Sequence, residues 1–295
     1  MISRRNFVAG LSAGSALLTM GCGTKEAKAV NKINSVGIQT YSLRDMFEQA
    51  PRKTLQMIKD VGYDYVELNS RNFQQVEPTK LRKMLDEVGL PAPSSHISID
   101  MLSGDLDELG MLADTLGCKY LVVPYIAEDQ RTLEHWRAHA KIMDQAGKVL
   151  ADKGHRLAYH NHQFEFEDLG GGTTAMEIIM NEVSAEHLDI QLDLFWSALV
   201  DVDVPALFRK YPGRFKLCHI KDMGPNKSEF EGADYNTITR DLMKNVGEGQ
   251  LDFKSIFAMN DISGMEYFIA EHDQPPKPYK DSIATSLKTV KSYRF

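Results

Sequence analysis

The chain has 295 residues, of which 43% are hydrophobic and 25% are charged, and its formal net charge is -7. These values are typical of a folded globular enzyme and exclude a disordered or collagen-like chain. The acidic balance, with no run of lysines or arginines, also disfavours a nucleic-acid partner, because neutralising phosphates normally needs a basic surface.

Residues 1–22 have the features of an export signal rather than of a folded domain. Arg4 and Arg5 precede a short apolar stretch diluted by glycine and serine, a pattern that resembles a twin-arginine (Tat) signal. The stretch is too short to span about 30 Å of hydrocarbon as a permanent helix. The sequence therefore predicts an exported, periplasmic protein, with a linker at residues 23–33 and the folded domain at residues 34–295.

The three cysteines are too few and too dispersed for a disulfide framework or a zinc–cysteine site. The residues around Cys22 resemble a lipoprotein cleavage site, although Thr19 and Met20 differ from the usual choices there. Two outcomes stay open: a lipid on Cys22 that anchors the protein to the membrane, or simple cleavage nearby. Cys118 and Cys218 lie in apolar, strand-like runs and are expected to be small core residues.

After residue 34, short apolar runs rich in β-branched residues alternate with amphipathic segments. The runs predicted to be strands are Val36–Tyr41, Tyr65–Leu68, Ala92–Ile97, Tyr120–Pro124, Leu157–His160, Leu188–Asp193, Phe215–Ile220 and Tyr267–Glu271. Helical spacing of apolar residues predicts helices at Arg52–Val61, Lys80–Val88 and Leu133–Asp152. A longer gap before the last run predicts an extended loop after the seventh strand.

Strands that are apolar throughout are buried on both faces, which favours a parallel sheet. Eight strand–helix units that close on themselves predict an α/β chain with a single (β/α)8 TIM barrel. An open, doubly wound sheet is the alternative. It is weakened because no GxGxxG motif follows the first strand.

Functional residues of such a barrel collect at the carboxyl ends of its strands. Asp193, His219 and Glu271 end the sixth, seventh and eighth predicted strands, where closure of the barrel brings them together. The competing interpretations are a helix-capping aspartate and a hydrogen-bonded structural histidine. Three polar groups without partners would be costly there, whereas one divalent cation would satisfy all three. The pattern therefore predicts a metal site.

Together these residues resemble the xylose isomerase-like TIM-barrel superfamily, which includes the sugar phosphate isomerase/epimerase family. The matching pieces are Gly37–Arg44, Asp193, His219–Asp222, Gly247–Gly249 and Glu271. The resemblance implies a divalent metal ion (Mn, Mg, Co or Zn) held by carboxylates from the fifth, sixth and eighth strands and a histidine from the seventh. Asp193, His219 and Glu271 match three of these positions. His160 stands where many relatives have a glutamate, and its imidazole is the fourth predicted ligand.

The resemblance further implies an isomerase or epimerase that removes a proton beside a metal-bound carbonyl/hydroxyl pair of an unphosphorylated sugar. The predicted catalytic residues are Glu271, His160 and Lys221. The predicted substrate-binding residues are Gln39, Tyr41, Arg44, Glu67 and His96, chosen by strand-end position, His162 and Glu165, which follow the fifth strand and are candidates for a second acid/base, and Trp196, whose ring could stack on a sugar face.

The histidine at position 160 also changes the expected reaction. The epimerases of this family use two glutamates on opposite faces of the sugar, and this chain lacks the first of them. The change favours aldose–ketose isomerisation, or β-elimination by a 3-keto-glycoside lyase or sugar dehydratase, over 3-epimerisation. A non-catalytic, exported sugar-binding barrel is the third alternative.

Overall fold

A closed barrel of short parallel strands forms the centre of the molecule, which a computed structural model describes over residues 31–295. The strands are β1 Gly37–Gln39, β2 Tyr65–Asn69, β3 Ser94–His96, β4 Tyr120–Val123, β5 Arg156–His160, β6 Leu188–Asp193, β7 Leu217–Ile220, β8 Asp222–Met223, β9 Met243–Lys244 and β10 Tyr267–Ala270. The barrel consists of β1–β7 and β10, each paired with its neighbours in chain order. The predicted eight-stranded TIM barrel is confirmed.

The helices lie between the strands, as the repeating pattern predicts. They are α1 Arg44–Gln49, α2 Pro51–Val61, α3 Ser70–Gln75, α4 Pro78–Val88, α5 Leu106–Leu116, α6 Leu133–Asp152, α7 Ala175–Glu182, α8 Leu194–Leu199, α9 Val204–Lys210, α10 Tyr235–Thr237, α11 Phe253–Phe257, α12 Asn260–Ser263 and α13 Tyr279–Ser292. Helix α6 has the predicted bounds. Helices α2 and α4 begin slightly earlier than predicted, at a proline, because the first turn needs no backbone N–H from that residue.

Several strands are shorter than the sequence predicts, above all β1 and β3, which have three residues each. The side chain of Gln39 accepts a hydrogen bond from the Tyr41 amide, which turns the chain into a 3-10 helix at Thr40–Leu43. Strand β3 starts only at Ser94, because Pro93 has no N–H to donate to a neighbouring strand. Both changes leave the strand order of the barrel intact.

The interior of the barrel is apolar at one end and polar at the other. Tyr65, Tyr120, Leu217 and Ile269 belong to a small buried cluster inside the barrel. The Tyr65 ring packs against Gly37, where an added Cβ atom would lie only 2.1 Å from the ring. Side chains on one face of a strand recur with a period of two, and two positions later three of these strands carry polar residues, Glu67, His219 and Glu271, whereas β4 carries Val122. The apolar layer therefore supports a polar layer at the carboxyl ends of the strands.

The loop after β7 is long, as predicted, and is partly ordered by its own structure. Strands β8 and β9 form an antiparallel ribbon within it. The Asp222 carboxylate accepts hydrogen bonds from the amides of Gly247, Gly249 and Leu251, which ties the far end of the loop to the end of β7. The loop is thereby held beside the carboxyl end of the barrel.

The predicted signal at residues 1–22 and most of the predicted linker lie outside the described residues, so export stays a prediction. Among residues 31–295, no helix has both the length and the apolar character needed to cross a bilayer. Cys118 and Cys218 are buried free cysteines.

Candidate active site

A cavity of about 510 Å³ opens at the carboxyl ends of the barrel strands. His160, Lys221, Glu271 and Asp273 contribute buried side chains to its lining. Aromatic side chains surround its more exposed part: Tyr41, Tyr125 and Tyr235. The cavity combines charged groups with ring faces, which suits a small polyhydroxylated ligand.

The three residues of the predicted metal site meet beside this cavity. Asp193, His219 and Glu271 are buried, and one ligand atom from each lies within 4.8 Å of the others. His219 Nδ1 is 2.7 Å from Glu271 Oε2 and 4.0 Å from Asp193 Oδ2. Within residues 31–295, Asp193 Oδ2 is buried and accepts no hydrogen bond, although the Lys221 ammonium lies 3.2 Å from it. Because two buried carboxylates and an imidazole converge here and this oxygen has no hydrogen-bond donor, the donor set fits a divalent cation.

His160 lies next to these groups with one ring nitrogen free. Its Nδ1 is 3.1 Å from Gln191 Oε1, which can only accept, so the proton is assigned to Nδ1. Nε2 then carries the lone pair and lies 3.9 Å from Asp193 Oδ2. Burial, together with the nearby His219 and His162, holds the pKa of His160 well below its usual value. His160 can therefore serve as an uncharged metal ligand.

The side chain of Glu67 lies behind His219 and not in the cavity. Glu67 Oε1 is 2.6 Å from His219 Nε2 and 3.0 Å from His96 Nε2. Gln39 Nε2 donates to Oε1 at 2.8 Å, and Gln191 Nε2 donates to Oε2 at 2.7 Å. Gln39 and Glu67 were predicted to contact substrate; the structure corrects this prediction, since both are fully buried and engaged with each other. Glu67 instead fixes the orientation of His219.

Two carboxylates determine the protonation of His219 in the absence of a metal. Burial alone would lower the pKa of His219, but Glu271 and Glu67 outweigh it and raise the pKa to about 10. Despite burial, His96 and His219 hold the pKa of Glu67 well below its usual value. Lys221 and His219 do the same for the pKa of Glu271. The metal-free site is thus a cluster of full charges, in which a cation would take the place of the His219 Nδ1 proton.

Lys221 is buried among three carboxylates. Its Nζ atom lies 2.8 Å from Glu271 Oε2, 2.9 Å from Asp273 Oδ1 and 3.2 Å from Asp193 Oδ2. The other oxygen of Asp273 accepts from the Tyr235 hydroxyl at 2.6 Å. Asp273 and Tyr235 were not predicted as site residues. Asp273 follows Glu271 by two positions, which is the spacing of residues on one face of a strand, and this spacing is the sequence feature that could have identified Asp273 as a site residue.

The remaining predicted substrate residues divide by position. Tyr41, His96 and His162 line the cavity. Arg44 instead lines a separate cavity of about 500 Å³ and donates to the backbone oxygens of Tyr41 and Asp273. Arg44 was predicted to contact substrate, and the structure corrects this prediction. Its side chain instead holds the segment that follows β10, the eighth barrel strand.

Trp196 was predicted to stack on a sugar face, and the structure does not leave its ring free. The Tyr235 ring stacks on it at 5.8 Å between centroids, and the His162 ring lies 5.2 Å away. Trp196 is 1% exposed. Its indole therefore supports Tyr235 and His162 and does not contact the cavity.

Glu165, also predicted to bind substrate, is buried beneath the cavity lining. Its carboxylate accepts from the Tyr159 hydroxyl at 2.5 Å and from the His162 amide at 2.7 Å. Burial raises the pKa of Glu165 to about 7. Glu165 thus holds the segment that carries His162.

The raised pKa of Glu165 predicts a pH-dependent stability. A carboxyl whose pKa is higher in the folded state favours folding below its unfolded pKa, near 4.5, and loses this contribution as pH rises to about 7. Through this carboxyl, we expect the natural protein to lose up to about 3 kcal/mol of unfolding free energy between pH 4.5 and pH 8. Glu165→Gln should not show this loss, so its unfolding free energy should rise relative to that of the natural protein over this range. Urea denaturation at both pH values measures this difference. The exposed control Glu186→Gln should show no such gain, and an equal response of both variants would contradict the buried, protonated Glu165.

Comparison with known proteins supports the same architecture. Residues 55–290 match the model of the family described as xylose isomerase-like TIM barrel. Inosose dehydratase of Clostridium perfringens is 25% identical over 148 residues, which cover 48% of this chain and 49% of that protein. The chain thus spans about half the length of the first curated relatives that it matches.

Solved structures match over most of the chain. A sugar phosphate isomerase/epimerase from Parabacteroides distasonis covers 90% of this chain and 96% of its own, with a TM-score of 0.73 at 20% identity. The IolI protein, described as binding a zinc atom, covers 87% of this chain and 96% of its own, with a TM-score of 0.67 at 14% identity. At these identities the structural matches show the fold. By the match to the family model over most of its length, the chain belongs to the xylose isomerase-like TIM barrel family.

Proposed function

We propose that this protein is a metal-dependent lyase that eliminates water or an alcohol from an unphosphorylated keto sugar or cyclic keto polyol. The observation that carries the proposal is the asymmetry of the charged groups at the cavity. Glu271 reaches the cavity as a carboxylate, whereas His160, which also lines the cavity, is a neutral imidazole. The Glu271 carboxylate lies beside the Lys221 ammonium, which Asp273 also contacts, and this pair suits removal of a proton at one atom and delivery of a proton at another.

The residues that would hold the cation are Asp193, His219, Glu271 and His160. Bound there, a divalent cation would act as a Lewis acid toward the substrate carbonyl and make the neighbouring C–H acidic. Of Mn, Mg, Co and Zn, zinc is the first to test, because the IolI structure is described with a bound zinc atom.

The protein's own groups then divide the proton transfers. The Glu271 carboxylate takes the proton from the carbon beside the carbonyl, and that electron pair forms the new C=C bond. The C–O bond at the β-carbon breaks, and the leaving oxygen takes a proton from the Lys221 ammonium. Asp273 and Tyr235 hold Lys221 at the cavity wall. The name of the matched curated relatives, inosose dehydratase, supports elimination over epimerisation.

A sugar isomerase or epimerase is the second candidate, favoured by the similarity to the Parabacteroides structure over 90% of the chain. In that reaction His162, whose ring lines the cavity, would be the second proton-transferring group beside Glu271. We further propose that the enzyme is exported, as its first residues predict, which fits a substrate without phosphate.

Proton NMR of the reaction in deuterated water distinguishes the candidates. Purified protein loaded with Zn²⁺ or Mn²⁺ is incubated with inosose and with a 3-keto-glucoside. We expect an unsaturated ketone together with released water or aglycone, and no product after treatment with a chelator. A deuterated product of unchanged carbon–oxygen skeleton would support the isomerase instead. Binding without turnover at any metal would support the non-catalytic barrel.

A further inference from the structure

Lys221 places a fixed positive charge beside the oxygens that the cation would use. Its side chain is 2% exposed, and it follows β7 immediately. The ammonium contacts Glu271 Oε2 and Asp193 Oδ2, and these same two oxygens lie nearest to His219 Nδ1 in the cluster. In the structure the ammonium therefore partly neutralises the atoms that a divalent cation needs.

An ammonium group and a divalent cation cannot share these oxygens at close range. Two positive charges a few ångströms apart repel strongly in a buried site, where water does not screen them. Metal binding must therefore move the Lys221 ammonium away from Asp193 and Glu271, and it can do so only toward another anion.

Asp273 is placed to receive the displaced ammonium. Its Oδ1 already lies 2.9 Å from Lys221 Nζ, and the Tyr235 hydroxyl donates to Oδ2 at 2.6 Å. The backbone oxygen of Asp273 accepts a hydrogen bond from Arg44, so the residue is held from both sides. The Trp196 ring centroid lies 5.8 Å from Lys221 Nζ, and the face of this aromatic ring attracts the ammonium.

We propose that the Lys221 ammonium stands in for the cation in the metal-free protein and moves onto Asp273 when a metal binds. Asp273 is then a positioning residue that sets the metal affinity through Lys221. This inference rests on the metal site of the proposed function, and it makes a prediction that the metal site alone does not make. Removing Lys221 strengthens metal binding, and removing the charge of Asp273 weakens it.

The test is the dissociation constant of Zn²⁺, measured by chelator competition at constant pH on the full protein. We expect Lys221→Met to bind Zn²⁺ at least about tenfold more tightly, because no ammonium has to be displaced. We expect Asp273→Asn to bind at least about tenfold more weakly, because the ammonium loses the anion that receives it. Metal-free Lys221→Met should also melt at a lower temperature than the natural protein, and added Zn²⁺ should raise its melting temperature by a larger amount.

A double variant separates an effect through Lys221 from a direct effect of the Asp273 charge. If Asp273 acts through Lys221, Lys221→Met/Asp273→Asn should bind Zn²⁺ as tightly as Lys221→Met alone. A further tenfold loss in the double variant would overturn the positioning role. The matched control is Lys216→Met, which removes a half-buried lysine just before the same strand, paired with Glu266 at 3.2 Å. Its Zn²⁺ affinity should stay unchanged.

The outcomes also separate this inference from the proposed function. A natural protein that binds Zn²⁺ and a Lys221→Met variant of equal or weaker affinity would overturn the inference and leave the metal site standing. If neither protein binds Zn²⁺, both are overturned. Should Lys221→Met fail to fold, Asp273→Asn decides alone, and a Zn²⁺ affinity equal to that of the natural protein would count against the inference.

Discussion

Replacing Glu271 with glutamine is expected to lower kcat by at least about a thousandfold while the barrel stays folded. Glu271 is the carboxylate of the cluster that reaches the cavity, whereas Asp193 lies beneath the lining. Glutamine keeps the shape of the side chain and one oxygen that can bind a cation. It cannot take a proton from carbon, so the loss should appear in kcat even when metal and substrate are saturating.

Metal content must be measured in the same samples, because Glu271 is also a proposed ligand. Activity is compared at metal concentrations that saturate the variant, so that weak binding does not imitate loss of the base. Glu248→Gln is the matched control: Glu248 lines the neighbouring cavity, where it accepts a hydrogen bond from Asn245. This control should keep nearly full activity. A metal-saturated Glu271→Gln variant within tenfold of the natural protein would show that another group removes the proton.

The barrel could be predicted from sequence because each strand–helix unit is encoded locally. A strand buried on both faces, a turn and an amphipathic helix need only neighbouring residues to be recognised, and closure follows from their number. The spacing of Asp193, His219 and Glu271 at the ends of consecutive strands was enough to bring them together.

Depth inside the barrel could not be predicted in the same way. Strand β2 continues to Asn69, so Glu67 lies one inward-facing layer below the cavity, where Asn69 itself contributes to the lining. The sequence indicated that Glu67 was near a strand end but not how far the neighbouring strands are offset.

The burial of the Trp196 ring could not be predicted for a different reason: Tyr235, from the long loop after β7, covers this ring. Such contacts depend on how a loop returns to the barrel, which local patterns do not encode.

Glu67→Gln is expected to weaken metal binding by about 10–100-fold and to lower the unfolding free energy by about 3 kcal/mol. Three N–H groups, from His219, Gln39 and Gln191, donate to the Glu67 carboxylate, and His96 Nε2 lies 3.0 Å from it. A glutamine side chain offers one oxygen and one NH₂ group, so at least one of these donors would face another donor. The His219 ring would lose the anion that holds its Nε2–H, and with it the fixed direction of Nδ1 toward the cation.

The same substitution should change the number of protons released when a metal binds. In the natural protein the pKa of His219 is about 10, so His219 is protonated at pH 8 and must lose close to one proton to bind a metal. Its apparent metal affinity should therefore rise with pH up to about pH 10. Without Glu67 the pKa of His219 falls toward its ordinary value, and fewer protons are released at pH 8.

Calorimetric titration with Zn²⁺ in two buffers of different ionisation enthalpy counts these protons, and the same data give the affinity. Glu165→Gln is the matched control, because Glu165 is equally buried in the barrel but is bound to Tyr159 and the His162 amide rather than to His219. If both glutamate variants lose metal affinity equally, the effect comes from disturbing the barrel interior in general. If only Glu67→Gln loses metal affinity and also releases fewer protons, the Glu67 carboxylate both orients the His219 imidazole and determines its charge. Only breaking the Glu67–His219 pair would change the metal affinity and the number of released protons together.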